Sequence, residues 1–193
     1  MSCKLCDLCI SRSKVVLGIG RDDAEIMLIG EAPGYYEDKE GKPFVGQSGQ
    51  YLRRVLKDTG FNIDQIFITN TVKCRPPGNR TPYANEISTC TKYFLAREIE
   101  HIQPIFVITA GAVPTNLMTS ESIPMHKQVV GAKKVGNMYI FPIYHPSYIL
   151  QNEALAIDFV DRLKFIKKSI DHIYHDYAFE IAASRNKDIK SPF

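Results

Sequence analysis

The 193-residue sequence predicts an α/β protein, a three-layer αβα sandwich built on a central, mainly parallel four-stranded sheet. Three observations predict it. Short apolar runs alternate with stretches of helical periodicity, each run ends at a turn residue, and the polar residues best suited to chemistry follow the ends of the runs.

Residues 25–30, Glu-Ile-Met-Leu-Ile-Gly, form the first apolar run, closed by Gly30 and a Pro33-Gly34 turn, the pattern of a buried parallel strand. From Ser48 to Lys57, Leu52, Val55 and Leu56 share one helical face, and Gly60 supplies the stop. Residues 66–70, Ile-Phe-Ile-Thr-Asn, repeat the strand pattern before a proline-rich loop from Arg75 to Pro82, and a helix is expected from about Asn85 to Ile99. Residues 105–109 give a third strand ending at Ala110-Gly111. Residues 138–144 give a fourth, whose Pro142 implies an irregular or edge position. The last element is a helix from about Leu155 to His172, with Phe159, Val160, Leu163, Ile166 and Ile170 on one face. One domain over residues 1–183 is expected, with a polar tail over 184–193 that frays.

Composition bounds the function. Hydrophobic residues make up 45% of the chain, which excludes disorder and fibre. Lys plus Arg less Asp plus Glu is 24 − 21 = +3, too small a balance to announce a nucleic-acid partner by itself. No apolar run approaches the roughly 18 residues of a membrane span, and the N-terminus lacks the apolar core of a signal peptide. The expectation is a soluble cytoplasmic protein.

Without a secretory signal, the five cysteines read as reduced thiols or metal ligands. Cys3, Cys6 and Cys9 are bunched, and Cys74 and Cys90 lie far downstream. The C-x2-C-x2-C opening resembles a bacterial ferredoxin run, but its fourth ligand would fall on Ser13. Cys74 and Cys90 can complete a four-thiolate site for zinc or an iron-sulfur cluster, although a separation of fifteen residues suits zinc poorly. The plainer alternative is that both are buried free thiols.

Ligands of open parallel sheets bind beyond the carboxyl ends of the strands, and Glu31 follows the first predicted strand, Asn70 ends the second and His145 follows the fourth. A carboxylate, an amide and an imidazole would then share one crevice. Gly30-Glu31-Ala32-Pro33-Gly34 lacks the G-x-G-x-x-G and G-K-[ST] patterns of phosphate loops. Glu31, Glu37 and Asp38 could also be solvated carboxylates. Phe44, between Gly41 and Gly46, could stack on a nucleobase or simply belong to the core. Asn70 could read an amide-like base edge bidentately or cap its own turn. His145, held extended by Pro146, could donate to charge developing on a substrate oxygen, and Ser147 could contact phosphate or cap the turn. Lys73, Arg75 and Arg80, with Lys133 and Lys134 further on, suit a polyanion, though basic surface loops are common without a partner.

Together these pieces resemble the family 4 uracil-DNA glycosylases, the iron-sulfur branch of that superfamily. The resemblance runs in order through Cys3-x2-Cys6, Gly30-Glu31-Ala32-Pro33-Gly34-x2-Glu37-Asp38, Gly41-x-Pro43-Phe44-Val45-Gly46-x2-Gly49, Asn70-x-Val72-Lys73-Cys74-Arg75-Pro76-Pro77-x-Asn79-Arg80-x-Pro82, Cys90 and His145-Pro146-Ser147. It implies a 4Fe-4S cluster on Cys3, Cys6, Cys74 and Cys90. It also implies a pocket in which Phe44 stacks on flipped uracil, Asn70 reads its Watson-Crick edge, Glu37 crowds C5 against thymine, and His145 stabilises charge on O2. Ala32 stands where the better-known branch carries an aspartate beside the base. Water activation would then fall to Glu31 and Asn79. Lys73, Arg75, Arg80 and Ser147 would contact DNA, with Leu150 as the wedge that fills the gap in the stack. A monomer acting on uracil-containing DNA, hydrolysing the glycosidic bond without strand cleavage, is the implied function. Cys9 is extra, and Gln151 replaces a residue that is often basic. A binding module without turnover, or an electron-transfer or scaffold protein on the metal site, are the competing classes.

Overall fold

A computed structural model describes residues 3–121 and 131–187 of the chain, with side chains described as far as His175. The strands are β1 (Ile26–Gly30), β2 (Ile66–Asn70), β3 (Phe106–Ala110), β4 (Lys133–Val135) and β5 (Met138–Ile143). The α-helices are α1 (Leu8–Ser11), α2 (Tyr35–Glu40), α3 (Gln47–Asp58), α4 (Ala84–Cys90), α5 (Ala96–Ile102), α6 (Ala112–Thr119), α7 (Pro146–Gln151) and α8 (Ala156–Lys187). The sheet has five strands in the order β2-β1-β3-β5-β4, parallel except for β4.

The expected mainly parallel sheet is present, and its strand count is corrected from four to five. The added strand is a three-residue edge, Lys-Lys-Val, paired antiparallel to β5. It carries no apolar run because only one neighbour covers it. Pro142 lies beyond the last β4–β5 pair, Lys133 with Ile140, so its missing N–H interrupts no ladder on that side.

Alternation along the strands feeds two cores. Leu28, Ile68, Ile108 and Phe141 point to one face, where Leu52, Leu56, Phe159, Leu163, Ile166 and Ile170 cover them. Met27, Ile29, Phe67, Val107 and Ile140 point to the other, under Leu95 and Ile102. Each large apolar side chain so buried contributes about 1.5–3 kcal/mol, which is why strands covered on both faces read as unbroken apolar runs.

The helix expected from Asn85 runs from Ala84 to Ile102, interrupted by a π-turn over Thr91–Leu95 directly after Cys90. The C-terminal helix runs from Ala156 to Lys187, and residues 188–193 of the expected tail lie outside the described residues. Short helices α1, α2, α6 and α7 were not visible as periodicity. No helix among the described residues is long and apolar enough to cross a membrane.

Strand order reverses between β1 and β3, the position at which open parallel sheets form a crevice. β1 pairs Gly30 with Asn70, and β3 pairs Ala110 with Ile143. The loops beginning at Glu31, Thr71, Gly111 and Tyr144 therefore open on one side of the sheet.

Candidate active site and thiol-lined cavity

At that edge lies a cavity of about 300 Å³ whose walls include Glu31, Ala32, Glu37, Phe44, Asn70, Asn79, Arg80, His145 and Ser147. The crevice expected from strand ends alone is thus real: the carboxylate, the amide and the imidazole line the same space.

Phe44 occupies the left-handed region at φ 54, which an aromatic residue adopts only when its surroundings hold it there. Three contacts do so. Arg53 donates from Nε to Phe44 O (3.0 Å) and from Nη2 to Pro43 O (3.2 Å). Gly49 passes so close that an added Cβ would lie 2.3 Å from the Phe44 carbonyl carbon. Glu37 accepts from Val45 N (2.9 Å) and Gly46 N (2.8 Å) through Oε1, and from Gly34 N (3.1 Å) through Oε2. Phe44 belongs to the core and to the cavity wall at once.

Glu37 is buried, and its carboxylate stitches the start of α2 to the Phe44 loop. Asp38 is buried as well, accepting from Ser13 N and Lys14 N. A solvated acidic pair is therefore excluded.

Gly30 sits beneath the Asn70 and Phe44 side chains of the wall. Its backbone is extended strand, yet a Cβ there would lie 2.3 Å from Asn70 Oδ1 and 2.6 Å from Phe44 Cζ. The amide and the ring are packed over bare backbone, and Asn70 is only 3% exposed.

Lys73 corrects an expectation. It is fully buried, not a surface cation: Nζ donates to Thr69 Oγ1, Asn70 O and Glu98 Oε2, each at 2.6 Å. Glu98 accepts further from Thr69 Oγ1 (2.8 Å) and Gly18 N (3.0 Å). Burial pulls the Lys73 ammonium down from its ordinary value and the Glu98 charge holds it up. Lys73 cannot touch DNA; it fixes the end of β2 that carries Asn70.

His145 is extended (φ −63, ψ 134) and caps α7, as its following proline requires. Its Nδ1 accepts from Ser147 N (3.2 Å) and meets Ser147 Oγ at 2.7 Å. A ring nitrogen that accepts a backbone N–H carries no proton, so the neutral ring bears its hydrogen on Nε2. Burial lowers the imidazole's pKa, opposed by the Glu37 charge, and so favours that neutral donor form.

Burial pushes the Glu31 carboxyl up from its ordinary value, with a hydrogen bond from the Thr81 side chain working against it. Asn79, at φ 55, accepts from Arg75 Nε at 2.7 Å. Arg80 forks onto Glu86 at 2.8 Å through each terminal nitrogen, which leaves it less charge for a phosphate. Within α7, Leu150 is half-buried and Ile149 wholly so, while Tyr148 is exposed. Arg53, Gly49, Thr81 and Glu98 were not singled out as functional. Arg53 and Glu98 act across loops on partners distant in sequence, and only the Gly46-x2-Gly49 spacing hinted at the close approach.

A second, small cavity is lined by Cys3, Cys6, Cys74 and Cys90, together with Leu8, Val15, Lys73 and Phe94. Cys9 is not part of its wall. Burial pushes the Cys74 thiol up to about 12 and the Cys90 thiol to about 11. The other thiols raise both further, while Arg12 pulls Cys74 down and the Lys73 N–H, 3.3 Å from Cys90 Sγ, pulls Cys90 down. Arg12 donates from Nη2 to Cys3 O (2.6 Å), and its buried Nη1 has no hydrogen-bond partner. Among the described residues, no group of three or more His, Cys, Asp or Glu side chains is arranged to hold a metal ion.

The sequence profile of the uracil DNA glycosylase superfamily matches residues 17–172. The chain is 44% identical over 164 residues to the type-4 uracil-DNA glycosylase of Sulfurisphaera tokodaii, covering 80% of this chain and 74% of the relative. The chain belongs to the uracil-DNA glycosylase superfamily. Other type-4 members are also similar: that of Saccharolobus solfataricus at 41% over 180 residues (87% of this chain, 82% of the relative) and that of Thermotoga maritima at 36% over 174 residues (86% and 90%). The family resemblance read from the motifs is borne out, and the α/β sheet is the fold the superfamily leads one to expect. The superfamily match begins at residue 17, beyond Cys3, Cys6 and Cys9.

Proposed function

We propose that this protein removes uracil from DNA by hydrolysing the N-glycosidic bond, leaving an abasic site. The observation that carries the reading is the convergence of Phe44, Asn70, Glu31 and His145 on one cavity, with His145 held in the Nε2–H tautomer. A base in a duplex must leave the stack to reach such a pocket.

Phe44 offers a fixed ring to the extruded base, and Asn70 offers a donor and an acceptor to its edge. Glu37 stands on the same wall, where it would crowd a C5 methyl. As the C1′–N1 bond breaks, its electron pair passes to the uracil ring and charge builds on O2. The Nε2–H of neutral His145 donates to that oxygen, a stabilisation made only as charge develops. Water adds to the electron-poor C1′, and its proton passes to Glu31, whose raised pKa makes it a better acceptor than an ordinary carboxylate. Asn79, on the cavity wall beside it, orients the water. Among the described residues, no lysine lines the cavity to form a covalent intermediate, which supports a monofunctional enzyme. One copy holds the whole pocket, so a monomer suffices.

The donor chemistry of the thiol-lined cavity suits a 4Fe-4S cluster on Cys3, Cys6, Cys74 and Cys90, although these side chains are not gathered into a metal-holding group in the structure. Four sulfurs of the correct donor type line the cavity. Arg12 Nη1 lacks a partner, and the two most buried thiols are costly to ionise until iron shares their charge. When bound, the cluster supplies iron-sulfur bonds that tie the N-terminal segment to the loop after β2 and to α4. Arg75 and Ser147 remain candidates for phosphate, with Leu150 or its neighbours as the wedge.

Incubating the purified protein with an end-labelled duplex containing one uracil, followed by alkali and a denaturing gel, tests the reading. Cleavage at uracil and not at a thymine control is expected, and Asn70→Ala should lose it while keeping its fold. No cleavage by folded, iron-loaded protein would overturn the proposal.

A further inference from the structure

The described residues include six exposed tyrosines, Tyr35, Tyr36, Tyr83, Tyr93, Tyr148 and Tyr174. Three of them adjoin residues that line the open cavity. Tyr35 and Tyr36 open α2 between Gly34 and Glu37, both of which line the cavity, and a Cβ on Gly46 would lie 3.5 Å from the Tyr36 ring. Tyr83 follows Arg80, another wall residue. Their exposures are 50%, 59% and 58%, although each ring has apolar faces that water covers poorly. Core packing therefore does not account for them.

Cations are interleaved with the rings. The Arg80 guanidinium lies 3.6 Å from the centre of the Tyr83 ring, Arg75 lies 5.1 Å from that of Tyr35, and Lys39 lies 5.8 Å from the same ring. Tyr35 and Tyr36 meet edge to face, with centres 5.4 Å apart. Arg80 is neutralised by Glu86, but Arg75 and Lys39 hydrogen-bond to the neutral groups Asn79 Oδ1 and Ser13 Oγ, so their charge remains available to phosphate. Alternating rings and cations beside a groove mark surfaces that follow single strands: every base has a face to stack, whereas bases in a duplex hide theirs.

We propose that Tyr35, Tyr36 and Tyr83, with Lys39 and Arg75, form a ledge on which unpaired nucleotides flanking the extruded uracil stack. The ledge rests on the uracil-excision reading for its purpose, and it gives the protein a grip on single-stranded DNA that does not depend on a complementary strand.

The test uses the full chain and two substrates, a single-stranded uracil oligonucleotide and its duplex. Tyr35→Ala/Tyr36→Ala and Tyr83→Ala should raise KM on the single strand by about fivefold to 100-fold, with a much smaller rise on the duplex. Tyr→Phe variants should restore the wild-type KM, because the ring and not the hydroxyl acts. Fluorescence anisotropy with a uracil-free single strand reads the same ledge without turnover, and the alanine variants should lose that binding at unchanged Tm. Equal KM on the single strand for wild type and alanine variants, equal losses on both substrates, or unchanged anisotropy would overturn the ledge. Failure of the wild type to release uracil would instead overturn the excision reading, with the anisotropy result still deciding the ledge.

Discussion

The two cavities of this protein are finished to different degrees by the polypeptide. In the open one, four wall groups are already held by protein: Glu37 by three backbone N–H groups, Phe44 by Arg53 and Gly49, His145 by Ser147, Asn70 by the strand end that Lys73 fixes. In the closed one, two thiols are driven far above their ordinary pKa and one guanidinium nitrogen is buried without a partner. The first is organised for an occupant that comes and goes. On the cluster reading proposed above, the second is completed only when iron shares the charge of its thiolates. Both meet at Ala32, which lines the open cavity and packs against the thiol cluster.

This contrast can be broken or sharpened experimentally. The largest effect is expected from the closed cavity: Cys74→Ser or Cys90→Ser should strip the iron and lower Tm more than any single core truncation, whereas Cys9→Ser should change neither iron content nor Tm. Visible absorbance and thermal melts check both. An equal loss at Cys9 would move the ligand set.

Next is the strut beneath the open cavity. Lys73→Met leaves Glu98 unpaired and should cost about 3–5 kcal/mol, while Lys73→Met/Glu98→Leu should regain most of it. If the double variant recovers stability but not activity, the ammonium positions Asn70 as well as supporting the fold; denaturant melts and uracil release separate the two.

His145→Ala should lower kcat by about 100-fold to 1000-fold, the usual loss for one donor to a developing oxyanion, with little change in Tm. Single-turnover kinetics measure it.

The smallest stability effect has the opposite sign. The folded-state pKa of Glu31 is raised, so its ionisation opposes folding. That penalty is absent below the ordinary carboxylate pKa and complete above the folded one. Glu31→Gln should therefore raise Tm at neutral pH, about 2–4 °C for each 1 kcal/mol in a domain of this size, while losing at least about 100-fold in activity. It should also abolish an acid limb of kcat/KM centred above the ordinary carboxylate pKa. A variant that is both less active and less stable would show that the carboxylate is structural.

Much of this was legible from residue order. β1, β2 and β3 announce themselves because burial on both faces keeps three or more consecutive positions apolar, and Glu31, Asn70 and His145 could be placed together because parallel strands bring their carboxyl ends to one side. β4 was hidden because an edge of Lys-Lys-Val has no apolar signature. Lys73 was misread for a related reason. A lysine is surface-bound by default, and the group that makes it a core residue, Glu98, lies 25 positions away on another element. Glu37 and Asp38 were ambiguous because their partners are backbone N–H groups, which no side-chain pattern records. The cysteine set fared differently. Spacing left zinc, a cluster or free thiols open, and only the cavity wall separates Cys9 from the other four.

Gly30 closes a position to evolution without any help from backbone strain. Its strand conformation would admit any residue, but a single methyl there would meet Asn70 Oδ1 and the Phe44 ring. A descendant gene that acquires alanine at this codon must also lose or move the amide or the ring. In genomic comparison, a side chain at this position therefore flags a relative in which the amide or the ring of this wall has been lost or moved.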